Sequence, residues 1–128
     1  MKPISVAQRV ERTGEASLGP DETGNLTTYL IYGKLAPNEA GRRLRPGQGR
    51  EEIFYVINGR VRMETSGLGE EVVDEGSAVP MPEGSDCWVS NITPTTVQYV
   101  IAGGFTEPVH FLHRVQQAQA ATIYQSRR

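Results

Sequence analysis

The sequence predicts an all-β domain with a short C-terminal helix, and three observations carry that prediction. From Thr27 onward, short runs rich in Val, Ile, Tyr and Phe are separated by Gly, Pro and Asp. Turn signals recur at spacings of roughly 8–12 residues, the rhythm of a sandwich or barrel. Only the tail, Val115–Gln125, combines alanines and glutamines in a way that favours a helix.

Taken in order, residues 1–26 are expected to form a partly irregular N-terminal arm, in which the glycine-bearing run Thr13–Asn25 is read as irregular. Residues 27–114 hold the expected strands: Thr27–Leu35, Arg42–Arg45, Glu52–Ile57, Arg60–Glu64, Glu70–Asp74, Ala78–Met81, Cys87–Asn91, Thr96–Ala102 and Val109–His113. Asn58-Gly59 lies between two of them. Both residue types tolerate positive φ, which predicts a two-residue hairpin turn. Residues 115–128 form the helical tail.

Composition bounds the function classes. At 128 residues the chain makes one domain with a real core. Charged residues at 22% and hydrophobic residues at 38% fit a globular protein. A net charge of -2 without a long basic run argues against nucleic acid as a partner. The single cysteine, Cys87, allows no internal disulfide and fits a reducing compartment. The N-terminus lacks an apolar segment, and no run is long enough to span a bilayer. The expectation is a cytoplasmic protein with no membrane partner.

Alternation along the strands decides which side chains share a face. Glu52, Phe54 and Val56 lie together, with Ile53, Tyr55 and Ile57 opposite. Both faces are largely apolar, so this strand is expected to be central and covered on both sides. Glu52 is then a carboxylate at the head of a buried strand and needs a partner. Cys87, Val89 and Asn91 share one face of a later strand, and Trp88 and Ser90 the other. Tyr29, Tyr99 and Trp88 are expected in the core or at a dimer face.

Two segments resemble the cupin superfamily. Glu52-Ile-Phe-Tyr-Val-Ile-Asn-Gly59 is similar to the end of the first cupin motif. Gly76, Pro82, Gly84 and Asn91 fall on the spacing of the second, G-x5-P-x-G-x2-H-x3-N, with Cys87 where the family has histidine. The resemblance covers roughly Leu35 to Ala102. It implies a cupin-type jelly-roll β-barrel with a ligand cavity at its centre.

The departures bear on chemistry. The resemblance implies a divalent metal held by the two histidines of an H-x-H, a few residues before the motif glutamate, together with the later histidine. The two histidines of this chain, His110 and His113, lie in neither motif. Three residues apart on an expected strand, they face opposite sides, so at most one reaches the cavity. One register places Arg43 and Arg45 on the H-x-H positions, and another places Pro46 and Gln48 there. Guanidinium has no lone pair to give a metal and stays cationic, but it grips a carboxylate or phosphate in bidentate fashion. Those arginines also form a cluster with Arg42 and Arg50 that suits a solvated edge strand.

The resulting expectation is a small-molecule-binding cupin, acting without a metal on an anionic or polar organic compound. As an enzyme it would be an isomerase, cyclase or lyase working by proton transfer. Glu52 and Cys87 would be the catalytic residues, with Glu52 as general base and an arginine stabilising the oxyanion. Arg43, Arg45, Gln48, Phe54 and Asn91 would bind the ligand. No cofactor is expected. Zinc, iron, manganese or nickel stays open through a mixed set of Glu52, Cys87, Gln48 and one of His110 or His113. A third alternative is a non-catalytic cupin whose cavity is filled by side chains. A homodimer is expected, because the two-sided apolar strand and Trp88 need cover.

Overall fold

Strict alternation of buried and exposed side chains, as in Arg50–Asn58, is what a strand with one face on a core requires. The structure is a computed structural model that describes residues 2–11 and 14–106. A 3-10 turn at Ala7–Glu11 precedes β1 (Glu15–Leu18) and a single helical turn, α1 (Pro20–Thr23). The remaining strands are β2 (Thr28–Leu35), β3 (Arg42–Leu44), β4 (Arg50–Asn58), β5 (Arg60–Thr65), β6 (Gly69–Asp74), β7 (Ala78–Met81), β8 (Cys87–Asn91) and β9 (Val97–Phe105). The expected strand Val109–His113 and the expected tail helix lie outside the described residues. No helix among the described residues is long and apolar enough to cross a membrane.

The strands form two antiparallel sheets, a five-stranded one in the order β1-β2-β9-β4-β7 and a four-stranded one in the order β3-β8-β5-β6. The core fills the space between them. Leu35, Phe54, Val56, Tyr99 and Ile101 come from the first sheet, and Leu44, Val61, Met63, Val73, Cys87 and Val89 from the second. Val10 and Leu18 are buried outside that cluster, on the N-terminal segment.

Three expectations are corrected. Residues 15–18 are not irregular, because β1 pairs with β2 from Glu15↔Gly33 to Leu18↔Leu30. Asn58-Gly59 is not a hairpin turn. β4 and β5 belong to different sheets, so the chain changes sheet there. A tight turn of the expected type needs positive φ at both residues. Gly59 has φ +90°, but Asn58 does not adopt a positive φ, and a register shift between Val56 and Asn58 bends the strand away. Finally, β4 is covered on one face only: Ile53 is 51% and Tyr55 40% exposed.

Candidate functional site

The residue on which the metal motif would turn is Glu52. β4 carries it inward to 7% exposure, and its partner is not an arginine. The Tyr29 hydroxyl donates to Glu52 Oε2. Register explains how they meet: Tyr29 of β2 and Glu52 of β4 both stand opposite Gly103 of β9. A methyl group on Gly103 would lie 2.0 Å from Tyr29 Cζ, so the ring can lie across this position only because no side chain is there. Arg50 stacks over Tyr29 and Phe105 at 5.8 and 6.0 Å, within the range of a cation–π contact. Burial, the hydrogen bond to Glu52 and its negative charge together hold the Tyr29 hydroxyl protonated well above the usual tyrosine range.

The same device recurs four residues along the sheet. Glu15, Gly33 and Tyr99 lie side by side on β1, β2 and β9, and the Tyr99 hydroxyl donates to Glu15 Oε2 across Gly33. Arg42 Nη1 donates to the Tyr99 oxygen at 3.1 Å and to the Gly14 carbonyl at 3.0 Å, and its Nη2 donates to Glu39 at 2.7 Å. Burial and the contact with Glu15 push the Tyr99 hydroxyl up as well. This network pins the N-terminal segment to the barrel.

The arginines expected in the cavity point elsewhere. In β3 the inward positions are Arg42 and the buried Leu44, so Arg43 and Arg45 face water. Arg43 forms a bidentate pair with Asp86 at 2.8 and 2.7 Å and lies 5.4 Å from the Trp88 ring. That pair pulls the Asp86 carboxyl below its ordinary range. Gln48 is exposed, and the buried residue of the second possible register is Pro46. Asn91 is buried, but its amide is engaged locally. Its Nδ2 donates to the carbonyls of Leu35, Ala36 and Thr95, and its Oδ1 accepts from the amide and hydroxyl of Thr93. Its role here is to hold the loop after β8. Phe54 is fully buried against Tyr99, with ring centroids 5.0 Å apart. Cys87 is buried, with Thr65 Oγ1 at 3.7 Å from its sulfur. His110 and His113 lie outside the described residues.

A divalent ion of the family type does not fit this donor set. Among the described residues, no three His, Cys, Asp or Glu side chains come together. Glu52 is taken by Tyr29, and the expected companions Arg43, Arg45 and Gln48 are on the surface.

Open space lies to the side. β6 and β7 are each an edge strand of their own sheet, and between them opens a chamber of about 350 Å3. Met63, Val73 and Val79 form its wall, and Thr65, Ser77 and Glu71 supply polar groups. A separate groove of about 290 Å3 runs past Glu52, Pro80 and Met81. The sequence reading gives Tyr29 and Arg50 other roles and does not single out Thr65 or Glu71. The missed signal is the inward parity of each on its own strand, which becomes meaningful only when the sheets are paired.

No family model and no curated protein matches the chain. Solved structures do. The plu4264 protein of Photorhabdus luminescens matches with a TM-score of 0.67 at 18% identity, over 91% of this chain and 97% of that one. A cupin protein from Bacteroides fragilis matches with a TM-score of 0.65 at 14% identity, over 84% and 86% of the two chains. The cupin domain of Schizosaccharomyces pombe Cnp3 matches with a TM-score of 0.61 at 13% identity, over 78% and 69%. At such identities the likeness speaks for the fold. Two antiparallel sheets around one core, together with these structural matches, show that the chain has a cupin-type fold.

Proposed function

We propose that the protein binds a small organic molecule, without a metal ion, in the chamber between its two sheets. The observation that carries this reading is the chamber itself, an apolar recess with a few polar groups at the small end of the size range of ligand sites. The chemistry of the inward-facing groups supports the metal-free part: a carboxylate capped by a tyrosine, a buried thiol and apolar side chains. Thermal-shift screening of small organic compounds in the presence of EDTA tests it. Val79→Trp fills the chamber and should abolish the response. A ligand present at 100 times its Kd should stabilise the protein by about 2.7 kcal/mol. Stabilisation that requires an added divalent ion, or that survives Val79→Trp, contradicts the reading.

A second reading, metal-independent proton transfer, is favoured by one observation: Glu52, which accepts from the Tyr29 hydroxyl, lines the groove along β4 and β7. Glu52 would be the general base, and the Tyr29 hydroxyl would take the oxyanion-stabilising role expected of an arginine. It predicts turnover that is lost in both Glu52→Gln and Tyr29→Phe. A homodimer belongs to either reading. Ile53 and Tyr55 on the outer face of β4 would supply its contact, and a monomeric mass by light scattering would exclude it.

A further inference from the structure

The chamber's surroundings narrow the class of ligand, an inference that rests on the reading above. Glu71 and Asp74 are the charged groups in its lining, and both are acidic. They differ in availability. Asp74 is paired with Arg60, whose Nε lies 2.6 Å from Asp74 Oδ1. Glu71 stands opposite Met63 on β5, on the same side of β6 as the buried Val73. It has no ion-pair partner among the described residues.

The wider field has the same sign. Residues 60–75 carry Glu64, Glu70, Glu71, Asp74 and Glu75 against Arg60 and Arg62, in a chain whose net charge is only -2. Glu64 and Glu70 face each other across β5 and β6, and their contact raises the Glu64 carboxyl above its ordinary range. An anion at this mouth meets repulsion, a neutral molecule gains only the apolar wall, and a cation gains both. The arginines that made an anionic ligand the sequence expectation face solvent on β3 or just beyond it.

We infer that the chamber takes a small amine, with its protonated nitrogen at Glu71 and its apolar body between Met63, Val73 and Val79. A matched series tests this on the full chain at pH 7 with EDTA: 2-phenylethylamine, 2-phenylethanol and 3-phenylpropionate. Binding is read by NMR from the Met63, Val73 and Val79 methyl groups. The amine should shift these methyls and bind about three- to fivefold more tightly than the alcohol at low salt, the size expected of a partly solvated ion pair. The carboxylate should bind more weakly than either. Glu71→Gln and high salt should each bring amine and alcohol to equal affinity without moving the melting temperature appreciably. Equal affinity in the unaltered protein, or a preference for the carboxylate, overturns the amine assignment and leaves the chamber standing. If none of the three compounds moves the methyls, the chamber reading falls, and the inference falls with it.

Discussion

The Tyr29 hydroxyl donates to the Glu52 carboxylate from two strands away because Gly103, between them, leaves room for the ring. The pair is thus a property of the sheet and not of either strand. It also shows how the buried Glu52 carboxylate is satisfied: a neutral hydroxyl donor serves where a cation was expected.

Gly103→Ala should displace the Tyr29 ring. The added methyl group would stand 2.0 Å from Tyr29 Cζ in a packed sheet, and overpacking of this kind costs about 1–3 kcal/mol. In a double-mutant cycle by urea denaturation, Gly103→Ala combined with Tyr29→Ala should cost clearly less than the sum of the single changes. Additive costs would mean that the ring does not depend on the glycine.

Tyr29 and Tyr99 make stability fall in alkali. Both hydroxyls keep their protons in the folded chain beyond the ordinary range, whereas the unfolded chain releases them at about pH 10, the ordinary tyrosine value. Their contribution is therefore complete below that pH and is lost as pH rises toward the folded values. Replacing both by Phe should flatten the slope of stability against pH above about pH 10. At neutral pH, Tyr99→Phe alone should cost about 1–3 kcal/mol, since it removes the buried hydroxyl that bonds both Glu15 and Arg42.

Asn91→Ala should cost about 3 kcal/mol, because several hydrogen bonds that close the loop after β8 are lost together. Arg43→Ala, on the outer surface of the same sheet, should change stability little and ligand affinity not at all. Urea titration and the thermal-shift response check the two variants side by side.

The Glu64–Glu70 contact gives a pH effect of the same sign in the carboxylate range. The Glu64 carboxyl is raised in the folded chain, so the pair favours folding at acid pH, and that advantage is lost as pH rises through the raised value. Glu70→Gln should raise the melting temperature at pH 7 and have less effect below the ordinary carboxylate range. A larger gain at acid pH than at neutral pH would contradict the assignment.

The strands from Thr28 to Asn91 were legible because their apolar residues alternate and glycine or proline separates them. β1 was not, since Glu-Ala-Ser-Leu has no strand pattern of its own and gains its place by pairing with β2. The error at β3 was one of parity, and the sequence held the remedy. Leu44 is the apolar residue of Arg42-Arg43-Leu44-Arg45 and must face the core, which turns Arg43 and Arg45 outward and brings Arg42 in. The Tyr29–Gly103–Glu52 row lay beyond sequence reasoning, because strand register is fixed by pairing between distant segments.

The most direct test of the central claim is a crystal structure of the protein soaked with 2-phenylethylamine and, separately, with divalent metal salts. The account predicts density for the amine between Met63, Val73 and Val79, and Glu52 still bonded to Tyr29 with no cation beside it. A metal ion coordinated by Glu52 and Cys87, with Tyr29 displaced and the chamber empty of ligand, would contradict it.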